Sequence, residues 1–426
     1  MPIESLAKNV TKINNDNWTL CHECGGPAIL PPTPVGGVAC CSRCGAELAR
    51  HRSGGLERPL ALAVSGLVVY LIALFHPLLL MKLGGRTLGN TLWDGVAAMQ
   101  REGMSDLAVL VFLTSMLFPL IWLVGLTYVL LPLHLGRRPW KGVLVLRVAQ
   151  TVNSWSMVGI FMLGLFVAYV KLASMAGMAP GIALFALFVL LIVVAATRAA
   201  FDPHQVWQRL APHAPPVPQA RSDAATWIQC HVCGLIARPE EAHGQPCPRC
   251  GAGRHFRKPD SRNRTWALLW AATILYIPAN LYPVMTVIRM GRGQPDTILS
   301  GVKHLIEGGM WLLALVVFVA SIVAPVMKIV VLMFLLVTVG NRSTTRCRDR
   351  IALYRVLEVF GHWSMVDVFL VSILTALVDF GVLAQIKPGI GASYFAAVVV
   401  LTLLATHVFD PRLIWDPLNE SKHEHS

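Results

Sequence analysis

Four cysteines in the first fifty residues form two C-x2-C pairs, Cys21 with Cys24 and Cys41 with Cys44, and the arrangement recurs as Cys230 with Cys233 and Cys247 with Cys250. Two thiolates three positions apart fit on one tight turn, and two such turns supply the four sulfurs of a tetrahedral zinc site. Gly25, Gly45, Gly234 and Gly251 follow the pairs, where a knuckle needs a residue free to take positive φ. Four thiolates leave the ion no open position, so the expected cofactors are two structural Zn2+. Metal binding worth on the order of 10 kcal/mol decides whether a segment this short folds. A redox dithiol is the rival reading, but it needs one pair per site, and here two pairs recur. Cys40 beside Cys41 leaves two choices for that ligand, while His22 and His231 read as neighbours of the metal or surface residues and Cys347 as a loop thiol.

The second set of chemistry-bearing residues lies in apolar surroundings. Lys328 and Asp367 stand within long hydrophobic stretches, where an ionisable group costs about 2.5 to 3.5 kcal/mol on insertion scales and faces a protein interior or a wet cavity. Ser321 shares a helix face with Lys328, seven residues on, and Ser364 shares one with Asp367, three residues on. A pair between Lys328 and Asp367, lined by Ser321, Ser364 and Thr402, is the expected intramembrane pocket. It would conduct protons, hold a lipid head group or fasten helices. Arg355, Glu358 and His362 form a second polar stripe, with Arg355 placed to anchor its span at the interface.

These residues sit inside a duplication. WSMV occurs at Trp155–Val158 and again at Trp363–Val366, with Arg147 and Arg355 eight residues before and FDP following at Phe201 and Phe409, all offset by 208 residues. VFxxSxxxP occurs at Val111–Pro119 and Val317–Pro325, and Pro119 and Pro325 are expected to kink their helices. The WSMV segments suit close packing against the kinked helices. The FDP prolines end the fourth spans, with the tryptophans after them placed at the membrane interface. The copies differ in charge: Lys328 stands for Trp122, Asp367 for Gly159 and Glu358 for Gln150.

Hydrophobic residues make up 55% of the 426 and charged residues 14%, against about 25% charged in a soluble domain. Eight stretches are long enough to span a bilayer: 60–81, 107–131, 148–170, 181–199, 266–288, 310–337, 356–378 and 391–408. With the amino terminus inside, inner segments hold 26 Lys and Arg and outer loops 8, which places both termini in the cytoplasm. The net charge of +13 is then explained by topology and anionic lipid, and a nucleic-acid partner is not expected. Outer segments from Thr91 and Thr297 read as short helices with threonine as N-cap.

The fold class that follows is an all-α polytopic membrane protein, a tandem parallel repeat of a four-helix transmembrane unit with a small cytoplasmic zinc ribbon before each. The expected divisions are a ribbon in 1–58 (core 18–50), a first unit in 59–203, a linker and second ribbon in 204–265 (core 227–256), a second unit in 266–411 and a tail in 412–426.

Two tetracysteine ribbons, each followed by four spans bearing the proline, WSMV and FDP elements, resemble the paraquat-inducible protein A family of bacterial inner-membrane proteins, which includes PqiA and LetA; length and separate ribbons look nearer the LetA branch. The resemblance implies metal ligation by the eight paired cysteines, phospholipid as cargo and a periplasmic MCE-domain tunnel protein as partner. No G-x-x-x-x-G-K-[ST] loop occurs, so no Walker-type ATPase is expected, and no catalytic triad spacing supports an enzyme. The alternatives are a stand-alone proton-coupled transporter of small amphipathic solutes and a zinc or redox sensor.

Overall fold

A computed structural model describes residues 18–31, 34, 36–50, 52, 54–83, 86–173, 178–211, 227–238, 244–289, 292–377 and 384–418. Among these, seven helices are long and apolar enough to cross a membrane: Glu57–Phe75, Ser105–His134, Gly142–Val170, Ile182–Ala200, Trp311–Gly340, Cys347–Leu377 and Ile390–Val408. The expected fifth span, 266–288, is not among them: its place in the repeat is held by helix Ser261–Leu281, 21 residues long. It packs against the eighth as the first packs against the fourth, but Arg262, Asn263, Arg264 and Asn280 make it more polar.

The first and fifth spans end earlier than their apolar stretches. The chain turns after Phe75 and Leu281, just ahead of Pro77 and Pro283, and proline cannot continue a helix. The apolar residues beyond enter strands. The ribbons contribute β1 (Trp18–Leu20), β2 (Pro27–Ile29), β3 (Val38–Cys40) and β4 (Glu47–Arg50). After the first span come β5 (Leu79–Leu83) and β6 (Arg86–Asn90), joined by β7 (Met178–Pro180) from before the fourth span in an antiparallel sheet of order β6-β5-β7. The second ribbon holds β8 (Ile228–Gln229) and β9 (Ile236–Ala237), and the second unit repeats the sheet with β10 (Met285–Arg289), β11 (Arg292–Asp296) and β12 (Ala384–Pro388), order β11-β10-β12. These sheets lie at the ends of the spans away from the ribbons. Gly181 and Gly389 approach the carbonyls of Pro77 and Pro283 so closely that a Cβ would sit 2.1 and 2.2 Å away. Rim helices Leu92–Arg101 and Ile298–Glu307 follow the hairpins, capped by Thr91 with Asp94 and by Thr297.

The second and sixth spans each carry a π-helical segment, Phe112–Leu117 and Val319–Val323. Pro119 and Pro325 stand just after it, where their missing N–H disturbs the backbone ladder. Ser115 and Ser321 donate their hydroxyls to the carbonyls of Val111 and Val317. The third and seventh spans are interrupted at WSMV: helix Gly142–Asn153 stops before Val158–Ala173, and in the second copy His362–Met365 narrows to a 3-10 turn. Met157 N–H donates across the gap to the Thr114 carbonyl of the π segment at 3.3 Å. In the first unit the π segment and the break thus meet each other's backbone groups, as non-helical backbone at membrane depth requires.

The two units meet where the third span lies against the seventh: Gly164 fits beside Phe369, whose ring stands edge-on to Phe161 at 5.5 Å. The ribbons are exchanged between the units. Cys21, Cys24, Cys41 and Cys44 share an apolar core with Ile329, Leu332, Ile351 and Trp415 of the second unit, and Arg43 lies 4.6 Å from the Trp415 ring. The four cysteines of the second ribbon belong instead to the core that includes Leu146, Trp207 and Leu210 of the first. Trp18 and Trp227 join the ribbons edge to face at 5.2 Å, beside a Gln229 to Thr19 hydrogen bond.

This exchange corrects one expectation. Trp207 and Trp415, after the FDP motifs, are 0% and 4% exposed; ribbons cover the surface that would otherwise meet the membrane interface. The FDP aspartates are caps: Asp202 accepts from the His204 and Gln205 amides, and Asp410 from those of Arg412 and Lys258. Burial by itself would raise the Asp410 carboxyl, but the Arg412 guanidinium at 2.8 Å and the amide donors outweigh it and hold the group below the ordinary aspartate range. The stabilisation is therefore complete above that range and lost as pH falls through the lowered value. Asp410→Asn is expected to cost about 2 kcal/mol, measured as thermal unfolding in detergent at neutral pH, and the gap to wild type should close in acid.

Candidate functional site: two tetrathiolate centres and two broken helices

In the first ribbon Sγ of Cys21 and Cys44 are 3.4 Å apart and those of Cys24 and Cys41 3.7 Å; in the second, Cys230 and Cys250 are 3.5 Å apart and Cys233 and Cys247 3.6 Å. A tetrahedral ion with bonds of about 2.3 Å sets neighbouring sulfurs about 3.8 Å apart, so both clusters fit zinc. All eight cysteines are buried and none is in a disulfide. The glycines after the pairs have φ between 71° and 76°. Amide groups of residues 25, 45, 234 and 251 bond back to the carbonyl of the first cysteine of each pair. Bound metal would fix these loops and supply no open coordination position. Cys41 lies in the cluster and Cys40 points outward, exposed. His22 and His231 lie outside the clusters, both exposed. Cys347 is buried at a helix start, with Sγ against the Thr344 and Ile414 carbonyls.

Arg355 does not reach for the interface. Its guanidinium pairs with Glu23, between the first two ligands, and donates to the Cys44 carbonyl at 2.8 Å. The first ribbon is thereby clamped to the stem of the seventh span. Val232 holds the place of Glu23 in the second ribbon, so this clamp exists in one copy. Glu358, from the same stripe, lines a cleft with Arg198 and His407, and the His362 side chain lies outside the described residues.

Lys328 is fully buried. Its Nζ donates to Ser364 Oγ at 2.7 Å and to Thr402 Oγ1 at 3.5 Å, and its stem passes 3.4 Å from where a Gly361 Cβ would be. Ser364 in turn donates to the Gly361 carbonyl at 3.1 Å. The Lys328 amino group thus occupies the break in the seventh span. Asp367, expected as its ion-pair partner, is not within pairing distance. One turn beyond Ser364, it faces the π segment, and neither carboxylate oxygen has a hydrogen-bond partner among the described residues. Asp367 and Ser321 line one narrow cavity of about 40 Å³ under the rim helix Ile298–Glu307, with Thr297, Gly301 and Phe395. That is room for water. The five residues therefore divide in two: Lys328 with Ser364 and Thr402, and Asp367 with Ser321.

The first unit solves its break differently. Arg198, from the fourth span, donates Nε to Asn153 Oδ1 at 3.0 Å and Nη2 to the Asn153 and Ser156 carbonyls at 3.3 and 3.4 Å, and lies 5.5 Å from the Trp122 ring. Trp122 aligns with Lys328, and Arg198 with Thr406. Each unit therefore brings one cation to its broken helix, the first from its fourth helix and the second from its second helix. Arg198 was not among the residues singled out from sequence. Comparing positions 122 with 328 and 198 with 406 together would have found it.

The family model described as paraquat-inducible protein A matches residues 56–211 and again 262–419. The chain belongs to this family. It is 32% identical over 419 residues to "Intermembrane transport protein PqiA" of Escherichia coli K12, covering 96% of this chain and 97% of that protein. It is 31% identical to "Lipophilic envelope-spanning tunnel protein A" of the same strain, covering 94% and 91%. A third relative is the "Probable intermembrane transport protein" of Haemophilus influenzae, 28% identical, covering 94% and 96%. No solved structure matches.

Cys233→Ser should reduce bound metal from two ions per chain to one, read by elemental analysis of purified protein, whereas Cys40→Ser should leave two. Arg355→Ala should keep both ions yet expose the first ribbon to limited proteolysis, and Glu23→Ala should do the same.

Proposed function

We propose that this family member is an inner-membrane component of a lipid trafficking system, exchanging phospholipid between the inner membrane and a periplasmic MCE-type tunnel protein to maintain the envelope. The observation that carries the reading is near end-to-end similarity to proteins named for intermembrane transport and for a lipophilic envelope-spanning tunnel. The paired distribution of basic residues supports ribbons and both termini in the cytoplasm. The outer sheets and rim helices then face the periplasm, where a tunnel protein would sit. The relatives are named as transport proteins, in keeping with a chain that is not an enzyme. The cysteine geometry supports Zn2+ as the ion in both ribbons.

In this reading the second unit holds the moving part. Lys328 keeps the broken seventh helix together through Ser364 and Thr402. Asp367 has no hydrogen-bond partner among the described residues and lines a cavity shared with the rim helix. A buried carboxyl in an apolar wall suits the cavity differently when protonated and when ionised, which is what coupling lipid movement to a proton gradient requires.

Gentle pull-down of the full chain followed by mass spectrometry of proteins and lipids should recover phospholipid and a large periplasmic ring-forming partner. Recovery of neither, with solute-driven flux by the isolated protein in vesicles, would establish the stand-alone transporter. Lys328→Ala and Asp367→Ala should impair envelope integrity at normal abundance in a strain that depends on this protein. Unchanged integrity would leave the two groups as helix fasteners.

A further inference from the structure

A cleft of about 390 Å³ opens between the two units at the ribbon ends of the spans. One wall is the broken third span, Asn153 to Ile160, with Arg198; the other carries Glu358 and His407 from the second unit. Arg198, Glu358 and His407 are all exposed, and Arg198 and His407 lie within three residues of the ends of the fourth and eighth spans. That is the depth of lipid phosphates in the adjacent leaflet.

Three details give the cleft a chemistry. Arg198 spends Nε and Nη2 on the break, while Nη1 has no hydrogen-bond partner among the described residues; guanidinium is the side chain best suited to a phosphate. Ser156 lines the cleft, and its hydroxyl is buried without a hydrogen-bond partner. The aligned hydroxyl of the second unit, Ser364, receives the Lys328 ammonium at 2.7 Å. The molecule therefore shows in one unit a nitrogen donor that this hydroxyl accepts from, and leaves the aligned hydroxyl of the other without a partner among the described residues. Opposite it, Glu358 supplies a negative charge.

We infer that this cleft binds the zwitterionic headgroup of an ethanolamine-type phospholipid, with the phosphate on Arg198 and the ammonium between Ser156 and Glu358. The inference rests on the lipid-handling reading and deepens it by naming a headgroup class and an entry point in the ribbon-side leaflet. Trp155 stacks on the cleft residue His407 at 5.8 Å, and the apolar wall of Ile160, Leu191 and Val194 continues toward the acyl region.

The test is native mass spectrometry of the full chain titrated with phosphatidylethanolamine, phosphatidylglycerol and water-soluble glycerophosphoethanolamine, with metal content and elution profile checked for every variant. Wild type should bind phosphatidylethanolamine at least tenfold more tightly than phosphatidylglycerol. Arg198→Gln should lose at least tenfold toward both lipids. Glu358→Gln should erase the preference by weakening phosphatidylethanolamine alone, and Ser156→Ala should act in the same direction. Because Arg198 also supports the break, Glu358→Gln keeps the test decisive if Arg198→Gln folds poorly. Equal binding of the two lipids by wild type, or an unchanged preference in Glu358→Gln, overturns the inference while lipid extraction by the protein still stands. Equal affinity for glycerophosphoethanolamine would make the occupant a free phosphate ester and overturn the lipid assignment. If no lipid binds to the chain at all, the lipid-handling reading falls with it.

Discussion

A helix interrupted inside a membrane leaves carbonyl groups that water cannot reach, and something in the protein must meet them. Both units contain such an interruption, at the WSMV segments of the third and seventh spans. In both, a cation reaches the break: Arg198 takes the Asn153 and Ser156 carbonyls directly, and Lys328 acts through Ser364, which holds the Gly361 carbonyl. The duplicated sequence preserved the break while changing which neighbouring helix supplies the charge. Positions 122 and 198 read Trp and Arg in the first unit, and the aligned positions 328 and 406 read Lys and Thr in the second. The long basic side chain has in effect moved from the fourth helix of its unit to the second, where the first unit carries a tryptophan.

That exchange produces the functional asymmetry. With Lys328 inside the second unit, that side chain and Ser364 are fully buried at the break, and Asp367 is left facing a narrow cavity on the rim side. With Arg198 approaching from the end of the fourth span, the first break stays open to a cleft on the ribbon side. The ribbons add to this. Each docks on the unit of the other copy, and Arg355 bonds both to Glu23 and to the Cys44 carbonyl. The loop that carries the first cysteine cluster is thus tied to the stem of the seventh span, 9 residues before Ser364. Loss of metal would free the stem of the helix that carries the second break.

Much of this was legible in the residues. The C-x2-C spacing is short enough to dictate a knuckle, so the eight cysteines come together with no help from distant contacts. The VFxxSxxxP segments announced a disturbed helix because proline's missing donor is a local fact; that the disturbance takes π-helical form depends on the facing WSMV segment, which no single segment encodes. The strands at 79–83 and 285–289 were hidden because apolar residues beside a span look like more span, although Pro77 and Pro283 marked the boundary. The expected Lys328–Asp367 ion pair failed for a physical reason: opposite charges in one apolar region were assumed to seek each other, whereas Lys328 found hydroxyls at the break. The burial of Trp207 and Trp415 needed the ribbon exchange, a long-range arrangement that composition does not carry.

The claim that one cation must reach each broken helix is tested most directly by moving it. Arg198→Thr and Trp122→Lys, singly and together, give the first unit the arrangement of the second, and thermal unfolding of the purified protein in detergent reads the outcome. The account predicts that Arg198→Thr lowers the unfolding midpoint and that adding Trp122→Lys restores much of the loss, a coupling of about 1 to 3 kcal/mol. Losses that simply add, or an Arg198→Thr protein as stable as wild type, would contradict it.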